Sequence, residues 1–318
     1  MALTIRQDAD ATLPQLRGGL FLSDGGIETS LIYLQRLDLP YFAAFPLLRD
    51  AEGRAALRRY YQPYLELAAR MGTGFILETP TWRASQDWGT RLGYTANEIR
   101  AVNRDAVALT RELREAFPGA GPVVISGCVG PRGDGYVAGV AMTPAEAAAY
   151  HGEQIGAFAE AGVNMVTAIT MTYAAEAIGI VRAARLVGLP AVISFTVETD
   201  GRLPSGQPLG EAIEEVDAAT GCYAAYFMVN CAHPDHFATI LAQGGDWAGR
   251  IRGIRANASR LSHAELDAAT ELDPGDPEEL AALYAALRER LPHLNVFGGC
   301  CGTDHRHVGA IARSCVSS

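Results

Sequence analysis

The chain has 318 residues, with 26 basic against 36 acidic side chains and a formal charge of −10. Every basic residue is arginine and none is lysine, which excludes Schiff-base aldolases, pyridoxal-phosphate enzymes and Walker-type phosphate loops, since each needs a lysine amine. The acidic balance leaves no electrostatic footprint for nucleic acid or an anionic membrane surface, and no apolar run approaches the roughly 18 residues that span a bilayer.

In chain order, short β-branched or aromatic apolar runs fall at residues 20–24, 74–78, 123–126, 165–169, 191–196, 225–230, 251–255 and 295–297, and read as eight strands. Between them, residues 55–71, 97–116, 144–161, 174–187 and 277–291 have the length and composition of crossover helices, with Thr143-Pro144 and Asp276-Pro277 as the clearest starts. Strand-then-helix units without a Pro/Ser-rich linker or composition break predict an α/β protein, a (β/α)8 TIM barrel forming one domain over residues 1–318. An open doubly wound sheet is the alternative. A chain this long buries about three quarters of its unfolded surface. The first residues, MALTIRQDADATLPQLRGG, lack the basic-then-apolar-then-small pattern of a secretory leader, so a cytoplasmic protein is expected.

The strand ends carry polar and glycine-rich residues, and in a barrel these converge on the C-terminal mouth. Cys231 ends the sixth strand and Cys300-Cys301 follows the eighth. Neighbours on a strand point to opposite faces, so the vicinal pair can share one ion only where the backbone leaves strand geometry. Gly298, Gly299 and Gly302 supply that freedom. Three convergent thiolates suit a soft tetrahedral ion, with zinc the usual occupant and the fourth corner open as in catalytic sites. Two other readings stay open on the residues alone: buried cysteines beside a glycine-rich anion cradle, or a redox-active Cys300-Cys301 pair. Cys128 reads as a mouth-lining residue, and Cys222 and Cys315 as packing or surface thiols.

These motifs resemble the homocysteine S-methyltransferase family. The matching pieces are Asp24-Gly25-Gly26-Ile27-Glu28-Thr29-Ser30-Leu31, Glu78-Thr79-Pro80-Thr81-Trp82-Arg83-Ala84-Ser85, Gly127-Cys128-Val129-Gly130-Pro131, Val229-Asn230-Cys231-Ala232-His233-Pro234 and Gly298-Gly299-Cys300-Cys301-Gly302-Thr303. The resemblance implies a zinc methyltransferase that forms methionine, with Cys231, Cys300 and Cys301 as ligands and the sulfur of homocysteine completing the tetrahedron. It assigns the acceptor's amino group to Asp24. Coordination of a thiol to a cation removes its proton, so no dedicated general base is needed. Asn230, beside Cys231, is the candidate to orient a thiolate or substrate group.

The chain departs from the family at Ile169, seven residues before Glu176-Ala177, where relatives carry a glutamate. Glu28 and Glu78 are the carboxylates expected to compensate. For a cationic methyl donor, Trp82 is the leading aromatic face, with Phe42, Phe45 and Tyr173 as others, and Arg83 suits a donor carboxylate. A sulfonium donor is expected over betaine, because the chain stops soon after the double-cysteine loop. His233, His236, His305 and His307 are assigned to hydrogen bonding and loop packing. The expected partners are a small thiol acceptor and a methyl donor, with homo-oligomerisation left open.

Overall fold

In the computed structural model, which describes residues 13–316, eight strands follow one another around a closed barrel. They are β1 (Phe21–Leu22), β2 (Gly74–Glu78), β3 (Val123–Val129), β4 (Met165–Met171), β5 (Ala191–Phe195), β6 (Ala224–Asn230), β7 (Ile251–Ala256) and β8 (Val296–Gly299). β8 returns to pair in parallel with β1, Phe21 against Val296 and Leu22 against Phe297. That closure makes the molecule a TIM barrel and removes the open doubly wound sheet.

The principal helices around it are α1 (Ala51–Met71), α2 (Ala96–Ala116), α3 (Pro144–Ala161), α4 (Ala174–Leu186), α5 (Leu209–Thr220), α6 (Pro234–Gln243), α7 (Pro277–Arg290) and α8 (His305–Val316). Local chemistry sets their ends. Thr143 and Glu146 form a reciprocal cap at the start of α3, with Pro144 at its first position, and Gly162 closes the helix at φ 75°. Asp276 accepts from the backbone N–H of Glu278 and Glu279 at the start of α7. α1 begins four residues before the expected start because Asp50 accepts from the N–H of Gly53 and caps it there.

Helices outside and side chains inside leave every residue of β2, β4 and β5 buried, which is why these strands read as continuous apolar runs. Phe21, Ile76, Val124, Met165, Tyr226 and Met228 pack within the barrel. A turn at Pro14–Arg17 closes the N-terminal end: Gln15, fully buried, donates to the Tyr226 hydroxyl at 3.4 Å, while Asn295 donates to the carbonyls of Gln15 and Gly19 at 2.8 and 2.9 Å. Among the described residues no helix is long and apolar enough to cross a membrane. The leader reading rests largely on residues 1–12, which lie outside the described residues.

Candidate metal centre and substrate cavity

At the C-terminal mouth the strand ends surround a cavity of about 360 Å³. On its wall the Sγ atoms of Cys231, Cys300 and Cys301 lie within 4.8 Å of one another, with Cys231 2.7 Å from Cys300 and 3.7 Å from Cys301. A tetrahedral zinc with ~2.3 Å bonds to sulfur requires thiolates roughly 3.8 Å apart, a spacing that Cys231 and Cys301 already have. Cys300, 2.7 Å from Cys231, has to draw back by about 1 Å to share it, and three soft donors beside an open cavity then suit such an ion with one corner free. Cys300 is held well below the ordinary thiol range by hydrogen bonds from Cys231 and Cys301 and by the charge of Arg255, whereas the same bonds push Cys231 up. The three thiols therefore titrate as one coupled group, in which the charge of Arg255 favours a thiolate.

The backbone reaches this arrangement differently from the expectation. Of the three glycines near the pair, only Gly302 is left-handed, at φ 79°. Gly298 and Gly299 are needed for space, since a Cβ there would overlap Ser23 and Thr303 respectively. The second left-handed turn is made by Cys231 itself, at φ 54°, with its N–H donating to the Arg255 carbonyl at 3.1 Å and its own carbonyl 2.8 Å from His263 Nε2. Glycine spacing could not reveal that turn, because a cysteine makes it.

Asp24, at the end of β1, and Glu78, at the end of β2, both pair with Arg255 from β7. Arg255 donates through Nη2 to Asp24 at 2.6 Å and to the Gly25 carbonyl at 3.3 Å, through Nε to the Gly299 carbonyl at 3.1 Å, and through Nη1 to Glu78. The other oxygen of Asp24 accepts from Tyr60 on α1 at 2.8 Å. Glu78 is thus engaged, contrary to its expected availability, although burial still pushes it up to about 7 against the pull of Arg255. Glu28 lines the same cavity with no cation at ion-pair distance among the described residues. Burial pushes it up to about 8.

Asn230 is fully buried and stitches the barrel below the thiols. Its Oδ1 accepts from the Thr170 N–H at 3.0 Å and the Ser194 hydroxyl at 2.6 Å; its Nδ2 donates to the Thr170 hydroxyl at 2.8 Å and lies 3.9 Å from Cys300 Sγ. Thr170 occupies the left-handed region at φ 66°, within an irregularity of β4 between Ala168 and Met171. Asn230 thereby supports a strained turn as well as touching Cys300.

Trp82 lines the cavity, but one of its ring faces is covered by the guanidinium of Arg83, 3.9 Å from the ring centroid. That occupant takes a surface expected for the donor cation. Phe42 also borders the cavity. Phe45 instead packs edge-on against Tyr94, and Tyr173 accepts the Met142 N–H at 3.1 Å, so neither lines it. Cys128 is a buried lining residue, Cys222 is exposed and Cys315 is buried. His233 caps α6, His236 lies 3.0 Å from the Arg260 carbonyl, His307 bridges Asp304 and the Pro274 carbonyl, and His305 meets Tyr64 edge-on. None of the four belongs to the thiol cluster.

Two neighbours escaped the sequence reading. Tyr136, from the loop after β3, brings its hydroxyl 3.6 Å from Cys301 Sγ and 4.0 Å from Cys231 Sγ, and its ring stacks on His263 at 4.1 Å. Its loop has no period to read; the only signal was an aromatic residue among Gly133, Gly135 and Gly139.

The homocysteine S-methyltransferase family model matches residues 21–315. Homocysteine S-methyltransferase 1 of Arabidopsis thaliana is 22% identical over 317 residues, covering 93% of each chain. Homocysteine S-methyltransferase 3 of the same plant is 22% identical, covering 93% of this chain and 90% of the relative. Among solved structures, the homocysteine methyltransferase MmuM from Escherichia coli has a similar fold: its oxidized form superposes with a TM-score of 0.76 at 19% identity, over 96% of this chain and 99% of that one. Its metallated form gives 0.75 at 19% identity, over 93% and 96%. With the family model matching from β1 into α8, this barrel and its cysteine-walled mouth belong to the homocysteine S-methyltransferase family.

Proposed function

We propose that the chain is a zinc-dependent enzyme that moves a methyl group from a sulfonium donor to the sulfur of homocysteine, with Cys231, Cys300 and Cys301 holding the ion. The observation that carries this reading is the convergence of the three Sγ atoms within 4.8 Å beside an open cavity. When bound there, zinc supplies the positive charge that keeps an acceptor thiol deprotonated at neutral pH. The acceptor sulfur forms the new S–CH3 bond as the donor's S–CH3 bond breaks, and the donor sulfur leaves as a neutral thioether. The thiol proton goes to solvent.

A thiolate and a sulfonium cancel their charges as the methyl moves, so excluding water from the cavity favours the transition state over the separated ions. Trp82, Trp88 and Tyr136 provide apolar surface on its inner wall, while the exposed Tyr33, Tyr41 and Phe42 border the cavity where it meets solvent. Asp24, Glu78 and Arg255 form a fixed charged wall, and Asn230 acts as a positioning residue beneath Cys300. We read residues 1–318 as one domain of a cytoplasmic, methionine-forming enzyme.

Elemental analysis of protein purified under reducing conditions tests the centre: about one zinc per chain is expected, lost in Cys231→Ser. Reduced protein that refuses added zinc would overturn it. Methyl transfer assayed with S-methylmethionine, S-adenosylmethionine and betaine separates the donors, and activity with betaine alone would refute the sulfonium assignment.

A further inference from the structure

The guanidinium of Arg83 is buried, flat and incompletely bonded. It lies between two indoles, 3.9 Å from the ring centroid of Trp82 and 3.8 Å from that of Trp88 on the short helix Gln86–Arg91. The residue is 6% exposed. Its one hydrogen bond among the described residues runs from Nη1 to the Gly133 carbonyl at 2.8 Å, while Nε is buried with no partner. Glu28 and Asp134 are the opposite charges acting on it and Arg91 the like one, but no carboxylate lies within ion-pair distance among the described residues. A buried charged donor left unmatched costs more than an ordinary missing hydrogen bond. With both faces stacked, a ligand can approach only along an edge. Nε is shut off from the cavity, which leaves Nη2, with no partner among the described residues, to donate a charge-assisted hydrogen bond to an arriving carboxylate.

Glu28 is the complementary half. It lines the same cavity as Arg83, and the charges of both Cys300 and Arg83 act on it. The cavity therefore offers a sulfur site at the cysteines, an unpaired carboxyl at Glu28 and a partnerless Nη2 donor at Arg83. A sulfur-bearing α-amino acid presents the matching groups: sulfur at the end of its side chain, then an α-ammonium and an α-carboxylate. The other arginine of the cavity is no competitor, since Arg255 is occupied by Asp24, Glu78 and the carbonyls of Gly25 and Gly299.

We propose that Glu28 and Arg83 form a zwitterion clamp, Arg83 binding the α-carboxylate and Glu28 the α-ammonium of an amino-acid substrate. The clamp rests on the methyltransferase reading only in naming that substrate, which is either homocysteine or an amino-acid sulfonium such as S-methylmethionine. Arg83 then selects against substrates that lack the carboxylate.

Two of the three tryptophans flank Arg83, so Trp247→Phe leaves indole fluorescence as a local reporter. In that background, zinc-loaded protein is titrated with homocysteine, with S-methylmethionine, and with the decarboxylated analogue of each. Arg83→Gln is expected to weaken the carboxylate-bearing ligand at least ~10-fold and leave its decarboxylated analogue within ~2-fold, with Arg83→Lys intermediate. Glu28→Gln is expected to weaken the decarboxylated analogue, which keeps its ammonium, and to spare the deaminated mercapto acid or sulfonium acid. Selective loss for homocysteine assigns the clamp to the acceptor, and selective loss for S-methylmethionine assigns it to the donor. Equal weakening of ligands with and without carboxylate, or no change for either substrate, overturns the clamp. Zinc stoichiometry measured on the same variants keeps the two claims apart: intact zinc and methyl transfer with no carboxylate selectivity refute the clamp alone.

Discussion

Arg255 and Arg83 are each 6% exposed and border the same cavity, yet they are held by opposite means. Arg255 meets two carboxylates and two carbonyls; Arg83 meets two indole faces and one carbonyl, and its Nε and Nη2 have no partner among the described residues. A guanidinium saturated by protein joins strand ends, here those of β1, β2, β7 and β8. A guanidinium held by its faces keeps its hydrogen-bonding edge for something that arrives. Equal burial therefore carries different meanings, and the orphaned donor tells them apart.

The largest effect that tests this contrast is Arg255→Met. Removing one partner from a buried ion network leaves Asp24 and Glu78 uncompensated, and a loss of about 3–5 kcal/mol in chemical denaturation is expected. A loss below about 1 kcal/mol would erase the distinction. Arg83→Met should cost far less, within about 1 kcal/mol of wild type, because the lost stacking and single hydrogen bond are offset by removing an unmatched buried donor. The same denaturation measurement decides it, and a penalty equal to that of Arg255→Met would make Arg83 structural. The smallest effect concerns Glu28 in metal-free protein. Its folded value near 8 lies above the ordinary 4.5, so the folded state binds the proton more tightly. The stability that proton contributes is complete below about pH 4.5 and is lost as pH rises through about 8. Urea midpoints should thus fall less steeply across that window in Glu28→Gln; identical slopes would place a cation beside Glu28.

Much of the frame was legible because its signals are local. All eight strands lie within a few residues of their apolar runs, and α3 begins where Thr143-Pro144 said it would. Cys231, Cys300 and Cys301 were legible as a group because strand ends of a barrel share one mouth. Arg255 was not, since at the end of β7 it looks like any polar strand end. Its meaning depends on Asp24 and Glu78, which are 231 and 177 residues away in the chain. Trp88 and Tyr136 were missed for the same reason: one sits on a six-residue helix and the other in a loop, and only tertiary packing brings them to Arg83 and the thiols. Trp82 and Arg83 were each noticed, but their stacking on one another has no periodic trace.

The sealed base of the barrel has a kinetic consequence. Among the described residues, Gln15, Asn295 and the packed side chains around Tyr226 fill the base of the barrel, and the cavity beside the cysteines lies at the mouth. Two substrates and two products must share one doorway. An ordered, queue-like turnover is the outcome expected of such a vessel, with its cause in a plug of side chains at the opposite end from the chemistry, and product-inhibition patterns check it.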